Sequence, residues 1–180
     1  MKKLILFLIV LGISVGTSGV TLAQDVQANE KAVHEEFKKL VPKDKIIDTE
    51  TFKKIHEEIL AGNRKAYIID CRTHPEFYAF HIEGSDHIHA GHMYTIPRKI
   101  KDPNTEIYAL CRTQHRSFYV AGFLYKYGYT NVHVVSGGIV GWVKAGYPVV
   151  NKFAGKFIVT EYHQDFDETG KYRIREFHPY

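Results

Sequence analysis

Short apolar runs alternate with longer amphipathic ones along this chain. Ala66-Tyr67-Ile68-Ile69-Asp70 is a continuous apolar run closed by an acid, which predicts a buried strand. Glu106 to Leu110 and Val132 to Val135 predict two more, and Lys45 to Asp48 and His87 to His89 two shorter ones. Phe52, Ile55, Ile59 and Leu60 fall at helical spacing, with Thr49 or Thr51 suited to the cap and Gly62-Asn63 to the stop. Pro75 to His81 predicts a short helix with proline in its first turn. Phe118 to Tyr127 is apolar on almost every side and predicts a buried helix starting near Ser117. Gly137-Gly138 breaks the fifth strand, and Ile139 to Lys144 begins a last helix. Strands alternating with helices predict an α/β fold, a parallel five-stranded sheet with helices on both faces.

The two ends read differently. Lys2 and Lys3 precede an unbroken apolar run, Leu4 to Leu11, and Thr21-Leu22-Ala23 has the small-x-small form of a cleavage site. Residues 1–23 therefore read as a signal peptide, and the location as periplasmic or secreted. The run is short of the roughly 20 apolar residues of a membrane span, so no stable anchor is expected after cleavage. Residues 24–44, with Ala32, Val33, Phe37 and Leu40 at helical spacing, read as a helical arm. Residues 45–150 form the domain and residues 151–180 a β-like extension. In the extension, Lys156 to Tyr162 and Tyr172 to Phe177 flank a turn signal and predict a hairpin.

Charge narrows the partners. The formal charge of +4 includes Lys2 and Lys3, so the mature chain is only mildly basic and carries no Lys/Arg block. That argues against nucleic acid, which wants a dense basic face. The two cysteines, Cys71 and Cys111, are too few for a disulfide scaffold.

Cys111 ends a strand where the chain must turn. Arg112 and Arg116 follow within five residues, and a helix begins just beyond with its free N–H groups facing the loop. A buried core cysteine is the plain alternative. Positive charge and open amides favour instead an anionic sulfur, with a pKa falling from about 8.5 towards 7 or lower. His115 lies in the same loop, but no third group orients it as a protease base.

Three segments resemble the rhodanese family of sulfurtransferases. Asp70-Cys71-Arg72 with Glu76-Phe77 and His81-Ile82-Glu83-Gly84-Ser85 is similar to its first signature. Cys111-Arg112-Thr113-Gln114-His115-Arg116-Ser117 resembles its active-site loop, and Gly137-Gly138, Trp142 and Ala145 to Val149 its closing segment. The resemblance implies that Cys111 attacks the outer sulfur of a small anionic donor such as thiosulfate, releases sulfite and carries a persulfide. Cyanide or a thiol then accepts the sulfur, with no cofactor and no metal; a protein acceptor is unidentified. The amides of Arg112 to Ser117 would hold the outer sulfur's charge. Arg112 and Arg116 would attract the donor. Four residues separate Cys111 from Arg116, against five in the longer loop of cysteine phosphatases of related architecture. The basic loop resembles thiosulfate-type members rather than mercaptopyruvate-type ones. Gln114 stands where many members have glycine, and a positive φ there would cost about 1 kcal/mol.

Asp70, Arg72 and Glu76 read as supports that tie loops together by ion pairs. A cysteine in the position of Cys71 forms a disulfide with the nucleophile in the related cell-cycle phosphatases. Cys71 is therefore a candidate redox partner of Cys111, against the plainer reading of a core thiol. A thiol–disulfide activity and a non-catalytic sulfur-binding module stand as alternatives to transfer. His87, His89 and His92 form an H-x-H-x-x-H run that no further ligand completes, so packing or solvated histidines are expected there.

Overall fold

The computed structural model describes residues 25–160; the leader assigned to residues 1–23 and most of the extension lie outside them. Helix α1 spans Val26–Lys39, capped where the Asp25 side chain accepts from the Ala28 N–H. The domain then runs β1 (Ile46–Ile47), α2 (Thr49–Leu60), β2 (Tyr67–Asp70), α3 (His74–Ala79), β3 (Ser85–His87), a 3-10 turn, and α4 (Ile96–Lys99). It continues with β4 (Ile107–Leu110), α5 (His115–Lys126), β5 (Val132–Val135), α6 (Gly138–Lys144), and a hairpin of β6 (Val149–Asn151) and β7 (Gly155–Phe157).

The five main strands are all parallel, in the order β1-β5-β4-β2-β3. Period-two alternation explains the apolar runs, because successive side chains feed different layers. Ile69, Ile107, Val132 and Val134 point into one core with Phe118 and Leu124 of α5. Ile68, Tyr108, Leu110 and Val135 point into the other with Phe52 of α2 and Trp142 of α6. Cys71 and Cys111 continue β2 and β4 on the α5 face. Helix α1 covers α5, and a Cβ on Gly122 would come within 2.7 Å of the Phe37 ring. That close approach fits only a glycine.

Several boundaries differ from those the spacing predicts. The cap of α2 is Asp48, whose carboxylate accepts from Thr51 N at 2.7 Å, rather than Thr49 or Thr51. The third strand is Ser85–His87, not His87–His89: His89 instead caps the 3-10 turn, its Nδ1 accepting from the Gly91 N–H. Helix α5 starts at His115, two residues before Ser117, and α6 starts at Gly138. At the C-terminus, Gly155–Phe157 pairs antiparallel with Val149–Asn151. The expected partner strand Tyr172 to Phe177 lies outside the described residues.

Candidate active site

The loop after β4 is shaped by the next crossover. Gly137 and Gly138 both have positive φ, 78° and 54°, and lead into α6. Ile139 N donates to the Cys111 carbonyl at 2.9 Å, and Val140 N donates to the Arg112 carbonyl at 3.0 Å. A Cβ on Gly138 would lie 2.4 Å from the Cys111 oxygen, so only glycine admits this contact. With those carbonyls turned to α6, the backbone N–H groups of Thr113 and Ser117 donate to the Cys111 sulfur. The Ser117 hydroxyl donates as well.

Cys111 is only 1 % exposed and packs among apolar side chains, yet polar donors converge on its sulfur. The hydrogen bond from the Cys71 thiol is the largest influence, and together with the Ser117 and Thr113 donors it outweighs burial and lowers the Cys111 pKa to about 5. Cys71 is held the opposite way: its hydrogen bond to Cys111 and its complete burial raise its pKa. Both cysteines are free thiols. The sulfur that the loop activates is therefore a thiolate at neutral pH with a neutral thiol beside it.

Gln114 meets no left-handed strain, since its φ of 161° is extended backbone. Its side chain has a structural task that spacing did not reveal. The Gln114 Oε1 accepts from Ser136 Oγ at 2.9 Å and from Gly137 N at 3.3 Å, tying the loop to the turn before α6.

The charged residues divide. Asp70 and Arg72 form a buried pair, with Arg72 Nη2 2.7 Å from Asp70 Oδ2 and 2.6 Å from the Phe80 carbonyl. Glu76 closes a capping box on α3 with Thr73. Burial pushes its carboxyl up, but bonds from Arg116 and Thr73 outweigh that and pull it down to about 2. Arg116 is thus committed to Glu76 rather than standing open to a donor, although its charge still bears on Cys111. Arg112 is half-buried and Thr113 is exposed. The His115 ring turns to α1: it stacks on His34 with centroids 3.9 Å apart and meets Glu30 Oε1 at 2.9 Å.

The histidine run lies beside the site. His87, His89 and His92 line an open cavity of about 340 Å³ with His74, Tyr94 and Lys99. Among the described residues no group of three or more ligating side chains is placed to hold a metal ion.

Residues 51–145 match the rhodanese-like domain family. A Bacillus subtilis (strain 168) relative, the uncharacterized protein YqhL, is 34% identical over 86 residues, covering 48% of this chain and 68% of that protein. A thiosulfate sulfurtransferase from Pseudomonas aeruginosa superimposes with a TM-score of 0.57 at 22% identity, covering 71% of this chain and 24% of that one. A Rhodopseudomonas palustris CGA009 protein of unknown function, described as a possible tyrosine phosphatase, gives 0.58 at 20% identity, covering 71% and 98%. Those two structures share the fold; the family match and the Bacillus relative add the lineage. With its parallel sheet and a cysteine loop cradled by α6, the chain belongs to the rhodanese-like family.

Proposed function

We propose that the protein is a thiosulfate-type sulfurtransferase with Cys111 as its nucleophile. The observation that carries this reading is a cysteine with a pKa of about 5 under converging N–H and O–H donors. A thiolate so placed attacks the outer sulfur of thiosulfate or a similar small anionic donor, and sulfite leaves. The product is a persulfide on Cys111, whose outer charge the loop amides stabilise. A thiol or cyanide then removes the sulfane sulfur and regenerates the thiolate. No cofactor enters these steps. Cys111 to Arg116 forms a tight ring with four residues between, which suits a single sulfur better than a tetrahedral phosphate. The leader at residues 1–23 extends the reading to a periplasmic or secreted enzyme.

The test is sulfite release from thiosulfate, with cyanide as acceptor, for the wild type and Cys111→Ser. The wild type releases sulfite and converts cyanide to thiocyanate; the variant does neither. Sulfite release that survives the substitution refutes the assignment. Absence of release in the folded wild type favours the non-catalytic binding module.

A further inference from the structure

The transfer chemistry leaves one buried nucleophilic group unused. Cys71 is completely buried and lies beside the reacting sulfur. The sheet puts it there. Strands β2 and β4 are parallel neighbours in the register Asp70↔Leu110, and Cys71 N donates to the Leu110 carbonyl at 2.8 Å. One residue further along both strands, Cys71 and Cys111 stand side by side and face the same core. Paired strands run about 4.8 Å apart. That spacing falls inside the roughly 4.4–6.8 Å Cα separation that a disulfide spans. The two thiols are already in hydrogen-bond contact, and Ser117 Oγ sits 3.8 Å from the Cys71 sulfur.

We propose, resting on the sulfurtransferase reading, that Cys71 resolves the Cys111 persulfide, expelling hydrosulfide and closing a Cys71–Cys111 disulfide that an external thiol reductant reopens. The Cys71 sulfur attacks Cys111 Sγ and the Sγ–outer sulfur bond breaks. The Cys71 proton leaves on the outer sulfur, so the departing group is HS⁻. The sulfane sulfur gains two electrons and the cysteine pair loses two, so the step needs no outside oxidant. Reopening takes two equivalents of thiol or one dithiol, which restores both cysteines and becomes a disulfide itself.

Three features of the site favour the step. The amides that hold the outer sulfur's charge also stabilise it as it leaves. The Cys71 proton is held first by the hydrogen bond to Cys111, then by burial and by the charge on Cys111. Once Sγ is bonded to a second sulfur that charge moves to the outer atom, and the hold on the proton relaxes. Cys71 is also completely buried with the Cys111 sulfur in hydrogen-bond contact, so its reacting partner is already in place.

The experiment treats the reduced full chain with thiosulfate in the absence of any thiol, and measures sulfite, sulfide and peptide mass. Wild type is compared with Cys71→Ser and Cys71→Ala, each checked for a native unfolding transition. In the wild type, sulfide and sulfite should appear in equal amounts, about one of each per chain, and then stop with a Cys71–Cys111 linked peptide. Adding a dithiol should restart both. The two variants should release sulfite, keep a Cys111 peptide heavier by about 32 Da, and yield no sulfide. Wild type that keeps this adduct, with sulfite but neither sulfide nor a linked peptide, overturns the proposal and leaves sulfur transfer standing. Failure of every chain to release sulfite overturns both. The linked peptide is read on the wild type alone, so a variant that misfolds does not shield the proposal.

Discussion

Arg116 and Glu76 meet in a two-point ion pair, Nη1 to Oε2 at 2.6 Å and Nη2 to Oε1 at 2.7 Å. The pair joins the first turn of α5 to the first turn of α3, across the mouth between β4 and β2. Glu76 also accepts from the Thr73 N–H at 2.8 Å, so one carboxylate closes a helix cap and clamps the cysteine loop. Glu76→Gln keeps the shape and removes the charge. The expected loss is about 1–3 kcal/mol in urea unfolding, as for hydrogen bonds to charged groups. Because the carboxyl pKa is depressed to about 2, its stabilisation is present above the usual carboxylate range and is lost as pH falls towards 2. The variant should lack that part of the acid dependence.

Alkylation of Cys111 should titrate with a midpoint near pH 5, and Cys71 should resist alkylation until the chain unfolds. Thiolate reactivity is then flat from about pH 6 upward and falls about tenfold per unit well below the midpoint. The Cys71 thiol is the largest cause of the depression. In Cys71→Ala the midpoint should therefore move upward, and an unmoved midpoint would contradict that assignment.

Much of this architecture is legible in the amino-acid order, and the exceptions have physical causes. The apolar runs ending at Asp70, Leu110 and Val135 read directly as strands, because burial on both faces leaves little else they can form. His87 to His89 misleads because Ile88 is buried and bonded to the Asp70 carbonyl like a strand residue, while His89 has already turned to cap the 3-10 segment. The cysteine and its basic loop are visible as a motif. The carbonyl contacts of Ile139 and Val140, the Gln114 tether and the Arg116–Glu76 commitment are not, because each joins residues more than 20 positions apart.

Gly138→Ala should be the most damaging glycine change near the site. Its Cβ would collide with the Cys111 and Arg112 carbonyl oxygens at 2.4 and 2.7 Å, and its φ is positive. A loss of stability greater than about 1 kcal/mol is expected, with thiosulfate-driven sulfite release abolished. Gly146→Ala is the control: its φ is also positive, but nothing lies within 4 Å. It should cost only the left-handed strain, about 1–2 kcal/mol, and leave the Cys111 pKa in place.

Gln114→Ala cuts the tether to Ser136 and Gly137 while leaving the extended backbone unstrained. A stability loss of about 1 kcal/mol is expected in denaturant unfolding. If the tether shapes the loop, the Cys111 alkylation midpoint rises in the same variant.

His133 provides a separate acid sensitivity on β5. Burial, with Lys45 adding to it, lowers its pKa to about 4, and its ring stacks on Tyr108. The unfolded chain binds this proton at about pH 6.5 and the folded chain only near 4. Stability from this group is therefore complete above about pH 6.5 and declines as pH falls towards 4, by roughly 3 kcal/mol in all. His133→Phe should flatten that part of the stability profile, read as urea midpoints between pH 4 and 7.

The contact between Gly138 and the Cys111 carbonyl has a consequence for how this chemistry can diversify. Curvature of the Cys111 turn is imposed from the following crossover, through the Ile139 and Val140 N–H groups, and not by the exposed Thr113 side chain. The exposed Thr113 side chain can thus be exchanged while the backbone donors to Cys111 persist, so that under the proposed chemistry substrate preference and the capacity to carry sulfur are separately tunable.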